Sequence, residues 1–301
     1  MSETEPSVAP AAERAPAGIN HIQLAALTAV LAGVLAAGGY LGSVPTVVAV
    51  GVVQAVLIPC WMLGHRLPGR IGGLGLSVLA AAAADGFTLH WPDSGYSPVL
   101  GVLGVAIPLM FFHQLSRGVV RARVVESLAG ISLLLVAVVS LPGLIVLRHE
   151  ASGRTVVLAV LAALGVGLVA AHLTDAVLPA PRFDPAMDRG LPAVVVGVAA
   201  GGVVGYLGLR RLIDFAGGRG AFVGAAIAAV ACLLSIAASF AESRTVRPDG
   251  GAGGQVDTEA VATGGAAGRD RLAALRPAAA AAITIALTVP AAYVLTNALT
   301  S

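Results

Sequence analysis

Few side chains in this sequence could do chemistry, and those that could lie inside or beside long apolar segments. His172 and Asp175 stand three residues apart, so both occupy one face of a helix. A carboxylate beside an imidazole can orient the ring for metal ligation or for proton transfer. The pair can equally be a polar cap at the end of an apolar helix. The spacing leaves the functional and the structural interpretation open.

Asp85 is a further acidic side chain within an apolar segment, directly after a run of alanines. It lies roughly 21 Å along a helix that begins near Ile71, at about 1.5 Å per residue. One interpretation is a proton or cation site that faces other helices. The alternative is a hydrated carboxylate near a polar boundary, against His90.

Several kinds of chemistry are disfavoured by what the sequence lacks. All 18 basic residues are arginine, which excludes mechanisms that need a lysine base, a Schiff base or a phosphate-loop lysine. Cys60 and Cys232 lie in separate apolar segments without a ligand residue at metal-site spacing, so they predict neither a zinc site nor a redox pair. Motifs for nucleophilic catalysis and for zinc peptidases do not occur. We therefore expect no cofactor.

The composition indicates which elements must hold these residues. Apolar residues make up 57% of the 301 residues and charged residues 11%, whereas soluble globular chains have about 45–50% and about 25%. The mean hydropathy is +0.90. The sequence therefore predicts an all-α, polytopic integral membrane bundle with the lipid bilayer as its surroundings. The net charge of +2 is too small for a nucleic-acid partner.

Nine apolar segments have about the length that crosses a bilayer as a helix, which is roughly 20 residues. The fourth is short and is expected to extend into its flanks. The segments cover residues 22–40, 44–63, 71–89, 99–112, 128–147, 156–178, 191–209, 221–241 and 278–299.

The arginines predict how this bundle is oriented. Thirteen of the 18 fall on the side of the membrane that holds the N terminus, and cytoplasmic loops are the ones enriched in basic residues. We expect a multi-pass protein of the plasma membrane with a cytoplasmic N terminus and an external C terminus. The alanine- and arginine-rich, lysine-free composition is typical of a GC-rich bacterial genome.

Two parts of the chain are predicted to lack a fixed structure. Residues 1–19 should be a disordered cytoplasmic tail, because they cannot bury enough apolar surface to offset the entropy of ordering. The transmembrane domain then covers residues 20–300, interrupted by a cytoplasmic loop at 242–275 that is rich in glycine. Loops of that length are usually functional or disordered, and a flexible linker is the simpler interpretation.

Small and basic residues suggest what the bundle contacts. Gly197, Gly201 and Gly205 fall on one helical face, which should pack against another helix of the bundle or, alternatively, form the seam of a homo-oligomer. A basic strip at one membrane edge is expected to attract anionic lipid headgroups. Its members are His113, Arg117, Arg121 and Arg123.

The C-terminal part carries a succession of short polar elements between apolar segments. Thr174-Asp175 ends the sixth segment, Glu242-Ser243 opens the long loop, and Asp270-Arg271-Leu272-Ala273 precedes the last segment. Between them stand Arg247, Asp249 and Thr263-Gly264-Gly265. In this order the elements resemble those of the phosphatidate cytidylyltransferase (CDP-diacylglycerol synthase) family, polytopic enzymes that join CTP to phosphatidic acid with a divalent metal.

This resemblance implies a remnant metal or phosphate site at Asp175, Glu242, Asp270 and Arg271, with Mg²⁺ as cofactor only if the protein is such an enzyme. The departures from the family pattern argue against catalysis. Its lysines are absent, Thr263 stands where the family has a histidine, and Ala273 replaces an aspartate. Fewer acidic ligands and fewer cations would weaken the hold on a hard divalent ion and on a triphosphate.

Three functions remain open on the sequence alone. The first is a non-catalytic membrane protein with the layout of a cytidylyltransferase, acting near lipid metabolism or as a subunit of a membrane complex. The second is a small-solute or proton-coupled transporter that uses Asp85 and the face of His172 and Asp175. The third is a metal-dependent nucleotidyltransferase acting on a lipid phosphate.

Overall fold

A computed structural model describes residues 20–116, 124–178, 180–183, 189–210, 218–246, 272 and 274–300. Within these ranges the chain forms α-helices and one short 3₁₀ turn, Pro92–Ser94, and no strand. The helices are α1 His21–Leu41, α2 Ser43–Gly64, α3 Arg70–His90, α4 Ser97–Ser116, α5 Val124–Ser140, α6 Gly143–His149, α7 Gly153–Val177, α8 Leu191–Leu209, α9 Arg219–Val246 and α10 Arg276–Thr300.

Nine stretches of the described chain are long and apolar enough to cross a bilayer, with α5 and α6 together forming the fifth, Val124–His149. This confirms the predicted all-α, polytopic bundle. The fourth span runs over Ser97–Ser116 and so extends beyond its apolar core of 99–112, as expected. Contacts between the end of one span and the start of the next, such as Gly38 with Pro45 and Gly205 with Gly220, show that these neighbouring spans are antiparallel.

Large apolar side chains cover the outside of the bundle. Ile71 is 90% exposed, Leu41 70% and Phe112 69%. Contiguous exposed apolar surface is costly in water and favourable against lipid tails. The chain is therefore an integral membrane protein, and the lipid bilayer surrounds its apolar outer surface.

Because spans alternate in direction, the bundle has two ends that can be named by the helix termini they hold. We call the end at which α1 begins the N-terminal end, and the other the opposite end. Contacts join the termini gathered at the N-terminal end: Ser127 Oγ donates to the Pro68 carbonyl at 3.0 Å, and Arg276 Nε donates to the Gly64 carbonyl at 3.0 Å.

The glycine face of α8 packs inside the bundle. A Cβ added at Gly197 would lie 2.8 Å from the Gly167 carbonyl oxygen of α7, and one at Gly201 would lie 2.8 Å from the Gly224 carbonyl oxygen of α9. Backbone contact this close needs residues without side chains. The prediction of interior packing is confirmed, and the seam lies between α8 and its neighbours α7 and α9 in the same chain.

The helix of the fifth span is interrupted near the opposite end of the bundle, between Ser140 and Gly143. Proline has no N–H, so Pro142 cannot donate to the carbonyl of Val138 four residues earlier, and the helix divides into α5 and α6. The carbonyl of Val138 instead accepts a hydrogen bond from Gln54 Nε2 of α2 at 3.1 Å. A neighbouring helix thus satisfies the freed backbone group, as membrane depth requires.

Several predictions concern residues outside the described ranges. The predicted disordered tail at 1–19 is one of these regions, and so are Arg117, Arg121 and Arg123 of the basic strip. The loop predicted to begin at Glu242 begins later, because α9 continues to Val246. Helical hydrogen bonding carries the chain beyond the apolar segment, a boundary that hydropathy alone does not mark.

Candidate functional site

His172 and Asp175 lie near the end of α7, at the N-terminal end of the bundle, and α1 runs antiparallel beside α7. A Cβ added at Gly165 would lie 2.9 Å from the Ala32 Cβ, which shows how closely these two helices approach. This packing brings His21, the first residue of α1, to His172. The centroids of the two imidazole rings are 6.4 Å apart.

These three side chains form a compact buried cluster. His21 is 9% exposed, His172 1% and Asp175 2%. One nitrogen or oxygen atom from each can be chosen so that the three atoms all lie within 4.8 Å of one another. The Nδ1 atom of His172 has no hydrogen-bond partner among the described residues.

Asp175 is also tied to the connection between α7 and α8. Its Oδ1 accepts a hydrogen bond from the Gly190 N–H at 2.9 Å, and its Oδ2 lies 3.5 Å from Nη1 of Arg189. Arg189 Nε in turn donates to Ser239 Oγ of α9 at 2.9 Å, and Ser239 donates to the Ser235 carbonyl. The carboxylate therefore links α7, the start of α8 and the end of α9.

Arg189 is a site residue that the sequence analysis missed. Its burial, 3% exposed, is unusual for arginine and is explained by its partners Asp175 and Ser239. The available signal was an arginine and a glycine immediately before an apolar segment. His21 gave only the signal of a histidine at the start of the first segment.

Asp85 faces the interior of the bundle, where Gln54 contacts it. Gln54 Nε2 donates to Asp85 Oδ1 at 3.2 Å and, with its other hydrogen, to the Val138 carbonyl at the break of the fifth span. Asp85 is half-buried and Gln54 is buried. The contact is thus to an amide on α2, and His90 instead makes an edge-to-face contact with Trp91, with ring centroids 4.7 Å apart.

A cleft of about 430 Å³ opens at the N-terminal end, between α2, α5, α9 and α10. Its inner walls are apolar, and Leu133 and Ala237 at its side are exposed on the bundle surface. Four polar residues stand at its rim. The apolar wall is formed chiefly by Leu133, Leu234, Ala237, Ala238, Ile283 and Leu287, and the rim by His65, Arg66, Glu126 and Arg276.

The rim is fixed by local contacts. The Trp61 Nε1–H donates to the Gly130 carbonyl at 2.9 Å, and the Trp61 ring packs on His65 with centroids 4.1 Å apart. His65 Nδ1 donates to the Trp61 carbonyl, because a carbonyl oxygen can only accept. Burial, together with the nearby charge of Arg276, lowers the pKa of His65 from its ordinary value. His65 is therefore neutral near pH 7, and two arginines face one glutamate.

The residues named by the family resemblance are placed only in part. Asp175 belongs to the buried cluster with His21 and His172. Glu242 belongs to the last turns of α9. Asp270 and Arg271 lie outside the described residues. Comparison with profiles of known families, with curated proteins and with solved structures found no match. The resemblance to the cytidylyltransferases stays a prediction.

Proposed function

We propose that this protein binds an anionic glycerophospholipid in the cleft at its N-terminal end and that it does not catalyse nucleotidyl transfer. The observation that carries the proposal is the combination of an apolar cleft, reachable from the side of the bundle, with Arg66 and Arg276 at its rim. A lipid acyl chain matches the apolar wall, and a phosphate matches the two guanidinium groups. This is a non-catalytic role near lipid metabolism, with anionic lipid as the partner.

The size of the cleft suits part of a lipid. Its volume of about 430 Å³ lies within the roughly 300–1,000 Å³ typical of small-molecule sites. The side opening at Leu133 and Ala237 lies among lipid-facing helices, so an acyl chain can enter without leaving the bilayer. The predicted cytoplasmic position of this end would place the headgroup in the inner leaflet.

Binding of phosphatidylglycerol and of phosphatidylcholine to the delipidated protein, measured by native mass spectrometry, tests this proposal. We expect phosphatidylglycerol to bind more tightly, and we expect Arg276→Gln to weaken it about fivefold, since a basic residue near an anionic lipid surface contributes about 1 kcal/mol. The control is Arg154→Gln at the opposite end, where the guanidinium lies 4.1 Å above the Tyr40 ring. Equal binding of both lipids, or equal losses in both variants, would contradict the proposal.

The absence of catalysis is tested separately. We expect no release of pyrophosphate from CTP and phosphatidic acid with Mg²⁺ above the level of the boiled protein, because the family's lysines and one of its aspartates are missing. Metal-dependent release would favour the nucleotidyltransferase instead, with Asp175, Glu242 and Asp270 as metal ligands.

A second candidate function is proton-coupled transport of a small solute. The observation in its favour is Asp85, an intramembrane carboxylate next to the broken fifth span, since transporters often place their sites beside interrupted helices. Uptake into proteoliposomes driven by a pH gradient would be lost in Asp85→Asn. Unchanged flux in that variant would remove Asp85 from consideration.

A further inference from the structure

The lipid cleft leaves His21, His172 and Asp175 without a role. The cluster and the cleft lie on different faces of α9, because Ser239 contacts Arg189 whereas Leu234, Ala237 and Ala238 line the cleft. Two buried imidazoles and a buried carboxylate, converging from two helices, are a costly arrangement at a membrane boundary. The donor set itself suggests what they could hold.

We propose that His21, His172 and Asp175 form a binding site for a divalent first-row transition-metal ion such as Zn²⁺. Two imidazole nitrogens and one carboxylate oxygen are the ligands that such ions prefer, and three protein ligands leave a position for water. A single ion requires ligand atoms about 3.4 Å apart if its bonds are about 2.1 Å long. The three atoms already lie within 4.8 Å of one another, so small side-chain rotations close the site.

The surroundings of the cluster support a metal rather than a hydrogen-bonded cap. His172 is 1% exposed, and its buried Nδ1 has no hydrogen-bond partner among the residues described, so this nitrogen is available as a ligand. The Gly190 N–H holds Asp175 through Oδ1, which orients the carboxylate as outer hydrogen bonds orient metal ligands. An anion is a poorer match, because Asp175 would repel it.

Arg189 opposes a metal ion and gives the proposal a distinctive test. Its Nη1 lies 3.5 Å from Asp175 Oδ2, longer than the roughly 2.7–2.9 Å of a charge-assisted hydrogen bond. A metal ion would share this oxygen with Arg189, whose Nε also donates to Ser239. The positive charge nevertheless weakens metal binding, so removing it should strengthen binding.

Zn²⁺ binding to the full-length protein in detergent, measured by titration calorimetry after chelator treatment, tests the site, with Co²⁺ absorption as a second readout. We expect one ion per chain and a loss of affinity of at least about tenfold in His172→Gln and in His21→Gln. The control is His90→Gln, an exposed histidine at the opposite end, which should bind as the unaltered protein does. His21→Gln, at the first residue of α1, keeps the test usable if His172→Gln does not fold.

We also expect Arg189→Gln to bind Zn²⁺ several-fold more tightly, an effect that a purely structural tie between Arg189 and Asp175 does not predict. Affinity in His21→Gln equal to that of the unaltered protein would show that only surface histidines bind the ion, and would overturn the proposal. Unchanged affinity in Arg189→Gln would overturn the assignment of Asp175 as a ligand. Neither result would change lipid binding in the cleft, so the metal site and the lipid cleft can be refuted independently.

Discussion

Gln54 uses both hydrogens of its amide group inside the membrane, one for Asp85 and one for the Val138 carbonyl. Replacing it by leucine keeps the approximate volume but leaves both acceptors without this donor. We expect Gln54→Leu to lower the free energy of unfolding by about 1–3 kcal/mol, measured in detergent. Val52→Ala, at a lipid-facing position on the same helix, is the control and should have a much smaller effect.

The same residue is coupled to Pro142. In Pro142→Ala the new N–H can donate to the Val138 carbonyl, so one of the two tasks of Gln54 disappears. A double-mutant cycle should then show a smaller cost for Gln54→Leu in the Pro142→Ala background, with a coupling energy of about 1 kcal/mol. Strictly additive effects of the two substitutions on the free energy of unfolding would mean that the Val138 carbonyl does not account for the position of Gln54.

We expect His65 to make the proposed lipid binding depend on pH. Its pKa is lowered by burial and by Arg276, so the ring is neutral at pH 7 and gains a proton as the pH falls below the ordinary histidine range. A third cation at the rim then strengthens phosphatidylglycerol binding, since the charge of that lipid does not change. We expect binding to tighten several-fold as the pH falls below the ordinary histidine range, and to stay flat in His65→Gln. Weaker binding at low pH would contradict this sign.

Among the elements, the packing of α8 depends on glycines at its contacts with neighbouring helices. A Cβ at Gly201 would meet the Ala228 Cβ and the Gly224 carbonyl of α9, whereas a Cβ at Gly51 of α2 would meet nothing within 4 Å. We expect Gly201→Ala to lower the free energy of unfolding by about 1–3 kcal/mol, because the helices must separate. Gly51→Ala should be neutral or stabilising by up to about 1 kcal/mol. Equal effects on thermal unfolding in the two variants would contradict the packing.

The sequence predicted the elements well and their contacts poorly, for physical reasons. Segment length and hydropathy report directly on crossing a bilayer, so the nine spans and the extended fourth one could be located, and the spacing of Gly197, Gly201 and Gly205 indicated a packed face. Contacts between helices depend on which faces meet. His21 and His172 are about half the chain apart in the sequence, so no local pattern marks their contact. Gln54 is a lone amide in an apolar segment, and this was a visible signal of an interior polar contact.

On the scale of the whole molecule, the distribution of the arginines predicts the orientation in the membrane. We expect a reporter fused before His21 to be cytoplasmic, and one fused after the last span to be external. Fluorescent and alkaline phosphatase fusions distinguish the two sides. Both fusions reporting the same side would mean that one of the nine spans does not cross the membrane.

The central claim is that an anionic lipid occupies the cleft between α2, α5, α9 and α10. An electron cryo-microscopy map of the protein in nanodiscs containing phosphatidylglycerol tests it most directly. The account predicts elongated density along Leu133 and Leu287 that ends in a headgroup beside Arg66 and Arg276. A cleft closed by side chains, with lipid density only on the outer surface of the bundle, would contradict it.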